Sequence, residues 1–290
     1  MFKSIVLATD LSKPSDVVIG CLNSLRSLGA ERAILVHALG LRHLRDMVPY
    51  LAKLAEPRLV EQKAALEQQG FSTTVEIAPG PPMFEVNRLA KERGADLIVI
   101  GSHGASCAQE VLLGGVALAI LHQATVPVLV VSLKINDVQS PTQCEASCKD
   151  FTRKVLYATD FSDTAERAFR YVEEIVASGA KNVTLLHIQD KVKIGKHLES
   201  RLEEFNQIDK ERLERMKTGL IKLGATDVRI EIPYGSPIQE IIKYASRENV
   251  SLIIMGSQGR GYIKEVFLGS VSHAVAKNSG VSLLLIPAIR

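Results

Sequence analysis

Two glycine turns in the second half of the chain have the residue types and spacing of an anion-binding site. Gly256 and Gly259 stand three positions apart, and nine residues later the chain reads Gly269-Ser270. Glycine lets a backbone approach a phosphate without an intervening Cβ, and successive N–H groups at a helix start bind anions. The Ser270 hydroxyl can donate to the same phosphates. The pattern predicts a phosphate cradle, with a tight strand-to-helix turn as the plainer alternative.

The first half of the chain carries a reduced version of this pattern. The matching glycines are Gly101, Gly104 and Gly114. Gly115 stands where the second copy has its serine, which removes one hydroxyl donor. The loop that follows holds Glu110 and no base, whereas the second loop holds Arg260 and Lys264. We therefore expect the second site to bind an anion better, and for the first site a phosphate cradle and a plain turn remain equal alternatives.

Polar residues also follow the first apolar run of each half. Thr9-Asp10 recurs as Thr159-Asp160, and a serine follows two positions after each aspartate. The aspartates either face a ligand or cap the next helix, a role that the serines fit as well. His103 lies inside the first glycine loop, where a phosphate contact and a solvent-exposed turn residue are the two alternatives.

These motifs belong to one unit that is written twice. Residues 5–12 recur as residues 155–162, and His37 matches His187 in the same register. Later landmarks such as Gly80 and Gly235 match only after five residues are allowed as an insertion in the second copy. An internal repeat of this kind determines the fold assignment of the whole chain.

Short apolar runs alternate with longer amphipathic stretches in each copy. Such alternation predicts an α/β fold with a parallel sheet and helices on both faces. The predicted strands are residues 5–8, 33–37, 73–77, 97–100 and 126–131, then 155–158, 183–187, 227–232, 252–255 and 282–286. Residues 193–223 read as one long charged helix, and Pro49 and Pro57 should break its counterpart in the first copy. Ligands of such sheets bind beyond the carboxyl ends of strands, where the aspartates and glycine turns fall.

The boundary between the copies lacks hydrophobic periodicity. We predict a first domain over 1–135, a linker over 136–150 and a second domain over 151–290. Cys144 and Cys148 lie in this linker. They could form a redox pair, form half of a metal site, or be plain thiols with no special role. No Cys or His partner follows at zinc-like spacing, which favours plain thiols.

Composition excludes several classes of protein. The chain has 290 residues, 46% of them hydrophobic, and a net charge of only +3 from 35 basic and 32 acidic residues. That balance predicts no nucleic-acid partner, and no segment reads as a membrane span. The start of the sequence lacks the pattern of a signal peptide, so we expect a cytoplasmic protein.

The order and spacing of these motifs, repeated twice, resemble the universal stress protein family in its tandem form. The resemblance rests on the Ala-Thr-Asp after the first strand, the Gly-x-Pro before the third helix, and the Gly-x-x-Gly, nine residues, Gly-Ser pattern. It implies two doubly wound, Rossmann-like domains that form an intramolecular pseudo-dimer through their last strands. It also implies an adenine nucleotide as ligand.

Site residues follow from matching positions of the family pattern. The resemblance implies ribose and base contacts from Ala158, Thr159, Asp160, Ile188 and Met255. It implies phosphate contacts from Gly256, Gln258, Gly259, Arg260, Gly269, Ser270, Val271 and Ser272. The first copy would use Thr9, Asp10, Gly101, His103, Gly104, Gly114 and Gly115.

The leading hypothesis is a stress-response regulatory module that an adenine nucleotide (ATP, ADP or AMP) stabilises. The alternatives are a weak Mg²⁺-dependent ATPase and a structural pseudo-dimer with vestigial pockets. No P-loop and no paired nucleophile and base occur in the sequence, which disfavours an enzyme. Mg²⁺ at the phosphates, protein partners and any homo-oligomer are left open.

Overall fold

A computed structural model describes residues 1–40, 45–104, 113–135, 144–146, 150–259 and 268–288. The chain forms two compact units, Met1–Lys149 and Asp150–Arg290. Each unit is described by itself below.

The first unit alternates strands and helices. Its elements are β1 (Ser4–Thr9), α1 (Lys13–Cys21), α2 (Asn23–Arg26), β2 (Arg32–Ala38), α3 (Val48–Gln68), β3 (Ser72–Ala78), α4 (Pro82–Glu92), β4 (Leu97–Gly101), α5 (Gly115–Gln123), β5 (Val128–Val131), β6 (Leu133–Ile135) and β7 (Cys144–Ala146). The five long strands pair in the order β3-β2-β1-β4-β5, and every pairing is parallel. The order reverses direction between β1 and β4, which defines a doubly wound sheet.

The second unit repeats this architecture. Its elements are β8 (Val155–Thr159), α6 (Asp163–Ala177), β9 (Asn182–His187), β10 (Gln189–Asp190), α7 (Lys191–Leu198), α8 (Leu202–Lys222), β11 (Asp227–Glu231), β12 (Tyr234–Gly235), α9 (Pro237–Arg247), β13 (Leu252–Gly256), α10 (Ser270–Asn278) and β14 (Ser282–Ile286). The sheet order is β11-β9-β8-β13-β14, again all parallel. The α/β, Rossmann-like fold predicted from the sequence is confirmed.

The central strands are apolar along their whole length because both faces of a parallel sheet are covered by helices. All five residues of β8 and all five of β13 are buried. The helices show the opposite pattern, with one apolar face each. In α6 the buried residues include Ala168, Val172 and Ile175, which recur every three or four positions.

Two helix predictions were wrong. Helix α3 runs unbroken from Val48 to Gln68 with Pro57 inside it. Pro49 lies in the first turn, where backbone N–H groups have no helical partner, and Pro57 removes only one interior bond. The predicted single helix over 193–223 is instead interrupted: Gly195 inside α7 has φ 57° and ψ 174°, outside the helical region, and α8 begins only at Leu202.

The region between the long strands of the two units contains a short hairpin. Strand β7 pairs antiparallel with β6, so Cys144 to Ala146 form a strand within the predicted linker. The side chains of Cys144 and Cys148 lie outside the described residues. Cys21 of α1 is disulfide-bonded, which the cysteine count did not predict. Among the described helices, none is both long and apolar enough to cross a bilayer.

Candidate functional site

A cavity of about 800 Å³ opens at the carboxyl ends of β8 and β13. These neighbouring strands flank the point where the strand order reverses. In open α/β sheets this is the position where ligands bind, because the loops that follow the two strands diverge and leave a crevice.

Twelve of the residues predicted for the second site line this one cavity. They are Ala158, Thr159, Asp160, Ile188, Met255, Gly256, Gln258, Gly259, Gly269, Ser270, Val271 and Ser272. Arg260 and Lys264 lie outside the described residues.

The turn after β8 is built by Asp160 and Ser162 together. Asp160 Oδ1 accepts hydrogen bonds from the Ser162 backbone N–H at 3.1 Å and from its hydroxyl at 2.6 Å. Ser162 is the N-cap of α6, and its Oγ accepts from the Ala165 N–H at 3.3 Å. The serine therefore caps the helix, whereas the aspartate braces the cap and lines the cavity.

Phe161, between these two residues, has a left-handed backbone with φ 58°. The Phe161 N–H donates to Thr159 Oγ1 at 3.0 Å, which stabilises the turn. The first unit repeats this geometry, since Leu11 has φ 64° and its N–H donates to Thr9 Oγ1 at 3.0 Å. A non-glycine residue in this region costs about 1–3 kcal/mol, and such strain is concentrated at functional sites.

Gly259 is needed for a reason that the sequence pattern did not reveal. A Cβ at this position would overlap Asp160 Oδ2, the oxygen opposite the one that Ser162 holds. The backbone of Gly259 is outside the left-handed region, so close approach to Asp160, and not an unusual φ, explains the glycine.

Gly256 is equally confined, in this case by the start of α6. A Cβ there would lie 2.9 Å from Thr164 Cγ2 and 3.1 Å from the Ala165 backbone nitrogen. The buried Tyr157 hydroxyl donates to the Ala165 carbonyl at 2.7 Å. Burial raises the pKa of Tyr157 above its usual range, so the phenol remains a donor. The end of β13, the end of β8 and the start of α6 are therefore fixed against one another.

The second glycine turn places a helix N-terminus on the cavity. Gly269 donates its N–H to the Ser257 carbonyl at 2.7 Å, which brings the two turns together. The first bond within α10 runs from the His273 N–H to the Gly269 carbonyl at 2.8 Å. The N–H groups of residues 270–272 precede it and have no helical acceptor, so the positive end of the helix dipole is available to an anion.

The two serines of this turn differ in what their hydroxyls do. Ser272 is buried, and its Oγ donates to the Gly256 carbonyl at 2.9 Å, so it braces the end of β13. Ser270 is exposed on the cavity and makes no side-chain hydrogen bond within the described residues. Ser270 is therefore the hydroxyl that is free to meet a ligand, and Ser272 contributes only its backbone.

His187 forms the opposite wall with residues from α8. Its Nδ1 lies 2.8 Å from the Thr159 carbonyl, and its Nε2 lies 3.3 Å from Asp209 Oδ2. Gln189 Nε2 donates to the same Asp209 oxygen at 2.8 Å. A carbonyl and a carboxylate both accept, so each ring nitrogen of His187 faces a hydrogen-bond acceptor.

Sequence reasoning missed half of the cavity lining. The residues not predicted are Ala165, His187, Gln189, Asp190, Lys193, Ile194, Phe205, Ile208, Asp209, Arg212, Pro237 and Ile241. Several of these residues come from α7 and α8. Four of the five inserted residues precede α8, so the insertion was the sequence feature that could have indicated a different cavity wall in the second copy. The apolar members of this group, together with Ile188 and Met255, give the cavity an apolar surface that suits a flat aromatic ring.

The first unit keeps the supporting contacts of this site. Asp10 Oδ1 accepts from the Ser12 N–H at 3.1 Å and from the Ser15 hydroxyl at 2.8 Å. A Cβ at Gly104 would overlap Asp10 Oδ2, as at Gly259. Gly101, Gly114 and Gly115 occupy the matching positions, and the Gly114 N–H donates to the Ser102 carbonyl at 2.7 Å.

His103 is buried, which contradicts one of its two alternatives, the solvent-exposed turn residue, and leaves the phosphate contact as a prediction. Only 8% of it is exposed, and its Nδ1 lies 3.0 Å from Ser102 Oγ, which accepts the Leu133 N–H at 3.1 Å. The hydrogen bond between Ser102 Oγ and His103 Nδ1 fixes the ring beside the end of β4.

No metal centre is evident in the described part of the chain, since no three His, Cys, Asp or Glu side chains there are grouped to hold an ion. The chemistry of the second site is instead that of unpaired amides, one free hydroxyl and an apolar wall.

The chain belongs to the universal stress protein family, whose sequence model matches residues 1–132 and again 152–287. The tandem organisation implied by the sequence resemblance is thereby confirmed.

Similar proteins agree with this assignment. The universal stress protein MJ0577 of Methanocaldococcus jannaschii is 36% identical over 152 residues, covering 46% of this chain and 94% of its own length. The universal stress protein YxiE of Bacillus subtilis is 29% identical over 146 residues, again 46% of this chain and 97% of its own length. A crystal structure of a universal stress protein from Archaeoglobus fulgidus matches with a TM-score of 0.76 and 25% identity, covering 99% of this chain and 98% of that one.

Proposed function

We propose that this chain is a stress-response regulatory protein of the cytoplasm that binds an adenine nucleotide in its second unit. In this proposal the nucleotide stabilises one conformation, which partners recognise, and is not consumed as fuel.

One observation carries the proposal. Three N–H groups at the start of α10 and the Ser270 hydroxyl, none with an acceptor or donor among the described residues, lie on the same cavity beside two glycines that leave the backbone bare. Such a set of donors recognises phosphate oxygens without needing a lysine of the P-loop kind.

The rest of the cavity supports a nucleoside. Its lining includes apolar side chains such as Ile188, Met255 and Phe205, which suit an adenine ring. Between the two ends lies the Asp160 carboxylate, and a carboxylate that follows the first strand of a Rossmann-like unit is well placed to accept from ribose hydroxyls. The roles of these residues remain predictions.

Calorimetric titration of the purified chain with ATP, ADP and AMP, with and without Mg²⁺, tests the proposal. Binding should raise the melting temperature, because a ligand specific for the folded state adds about 2.7 kcal/mol at a hundredfold excess over Kd. Ser270→Ala should weaken binding about fivefold, since one hydrogen bond contributes about 1 kcal/mol net. The matched control is Ser246→Ala, an exposed serine of α9 away from the cavity lining.

Two results would contradict the proposal. If none of the three nucleotides binds, the site is a structural turn. If phosphate is released at about one turnover per second or faster, and Ser270→Ala abolishes the release, the ATPase alternative replaces the binding module.

A further inference from the structure

One arginine on the cavity of the second unit lacks the acidic partners that hold its counterpart in the first unit. Arg58 and Arg212 are each the eleventh residue of their helices, α3 and α8. Arg212 lines the cavity. The two side chains have different surroundings, and the difference indicates a binding role for Arg212.

Arg58 is fully engaged within its own unit. Its guanidinium bonds Asp16 Oδ2 at 2.6 Å and also pairs with Glu61, three residues along the helix. These carboxylates raise the pKa of Arg58 and use both terminal nitrogens. This arginine stabilises the packing of α3 near α1 and has little capacity left for a ligand.

Arg212 has lost one of these two partners and keeps only a long contact to the other. The position equivalent to Glu61 is Arg215, and Glu166, the equivalent of Asp16, comes only to 4.0 Å. Within the described residues Arg212 makes no hydrogen bond, although only 36% of its side chain is exposed. Apart from the long contact to Glu166, the N–H donors of Arg212 have no partner among the described residues and are available to a ligand.

An aromatic ring holds the guanidinium in place. Arg212 Cζ lies 4.1 Å from the centroid of the Phe161 ring, and the opposite contact of that ring is His187 at 4.6 Å between centroids. Leu11 occupies the equivalent position in the first unit and offers no such surface. Stacking engages the face of a guanidinium and leaves the N–H groups in its plane free to bind an anion bidentately.

The surrounding charges do not remove this capacity. Of the acids that line the cavity near α8, Asp209 is paired with His187 and Gln189, and Asp190 accepts the Val192 N–H at the start of α7 at 2.9 Å. Lys193 adds a second cation to the lining.

We propose that Arg212 binds a second phosphate of the ligand, esterified to a ribose hydroxyl. The inference rests on the proposed function, in which Asp160 meets the ribose and α10 binds the 5′-phosphates. Phe161 directly follows Asp160, so the stacked guanidinium lies beside the ribose position and separate from the α10 cradle. In dinucleotide-binding folds an arginine beside the ribose-binding acid accommodates a ribose phosphate by the same physics. The ligand class is therefore an adenine nucleotide phosphorylated on the ribose as well as at the 5′ position.

The test compares AMP with adenosine 2′,5′-bisphosphate and adenosine 3′,5′-bisphosphate by calorimetric titration of the full chain at fixed salt. One bisphosphate should bind at least about tenfold more tightly than AMP. This ratio corresponds to the low end of the contribution that a hydrogen bond to a charged group makes to binding. That ratio should fall as salt is raised, because the added interaction is between charges that solvent partly screens.

Three variants test whether the Arg212 side chain itself binds the second phosphate. Arg212→Gln should abolish the preference for the bisphosphate. Arg215→Glu restores the carboxylate that the first unit has three residues after its arginine, and should lower the preference several-fold with Arg212 still present. Arg58→Gln, the matched control in the first unit, should keep the full preference. Circular dichroism and melting confirm that each variant is folded.

The outcomes distinguish this inference from the function on which it rests. If AMP binds and neither bisphosphate binds more tightly, the second-phosphate site is wrong and the nucleotide-binding module stands. A preference that survives Arg212→Gln also overturns the assignment. If no adenine nucleotide binds at all, both proposals fail together.

Discussion

The two units share the contacts that shape the end of the sheet and differ in the groups that would meet a ligand. In both, a serine caps the first helix, an aspartate braces that serine, and a glycine makes room for the aspartate. In both, a histidine bonds the carbonyl at the end of the first strand, at 3.0 Å from His37 and 2.8 Å from His187. These repeated contacts form the scaffold of the turn and do not by themselves indicate a ligand.

The differences concentrate on the cavity side. Three equivalent positions differ between the second and the first unit. They are Ser270 and Gly115, Phe161 and Leu11, and Asp209 and Ala55, the last pair being the eighth residues of α8 and α3. Each change in the second unit adds a polar or aromatic group at or beside the cavity. The comparison teaches that one scaffold supports sites of different capacity, because the ligand-facing groups are few and lie outside the scaffold contacts.

We expect the largest loss of stability from the removal of Asp209, a carboxylate whose position in the first unit is occupied by Ala55. Asp209→Ala leaves His187 and Gln189 without their acceptor, and the side chains of His187 and Asp209 are only 9% and 14% exposed. Breaking a buried pair typically costs about 3–5 kcal/mol, and we expect about 2–3 kcal/mol because both side chains keep some contact with solvent. Native-state hydrogen exchange measures this loss of stability, because the method reports the protection of the two units separately.

Asp209→Asn is the control for this change, because its side-chain oxygen still accepts a hydrogen bond, and it should recover part of the loss. Protection in the first unit should not change. Equal protection of the second unit in Asp209→Ala and the parent would show that the pair contributes nothing to stability.

An intermediate effect is expected at the glycines that face the aspartates, and here the two units should behave alike. Gly259→Ala should lower the free energy of unfolding by about 1–2 kcal/mol, because the Asp160 carboxylate must rotate away from the two Ser162 donors. In an Asp160→Ala background the same substitution should cost little. Chemical denaturation of the four proteins gives this double-mutant cycle.

Gly104→Ala, alone and with Asp10→Ala, repeats the cycle in the first unit, where the glycine and aspartate have the same contact. Strictly additive costs in either cycle would mean that the glycine is present for some other reason, such as close approach of a ligand.

We expect the smallest effect from a substitution that gives the first unit a ligand-facing group of the second. A Cβ at Gly115 meets nothing within 4 Å, so Gly115→Ser should be accommodated without strain. The substitution adds a hydroxyl at the start of α5. It should strengthen nucleotide binding by the first unit about fivefold, because one hydrogen bond contributes about 1 kcal/mol net. Titration of this variant and of the parent chain, each fitted with two sites, measures the change at the weaker site. An unchanged affinity would place the difference between the sites elsewhere.

The sequence by itself determined the repeat, the strands and the turns. Buried parallel strands are continuous apolar runs, and glycine, serine and aspartate act on their neighbours in the chain, so their spacing predicts local geometry. The doubly wound fold follows from the alternation of these elements. Of the twelve predicted cavity residues, eight lie at the ends of β8, β9 and β13 or in the turns that follow, and four lie at the start of α10, where chain position alone locates a residue.

Only the tertiary structure decided what faces these turns from the helices. Asp209 meets His187, and Arg212 meets Phe161, across some twenty and fifty positions of sequence. Which residues of α8 point into the cavity depends on how that helix is rotated against the sheet, and packing of its whole apolar face sets that rotation. The clash that requires Gly259 is likewise a contact between two loops, and Pro57 remains inside α3 because tertiary packing outweighs the one hydrogen bond it removes.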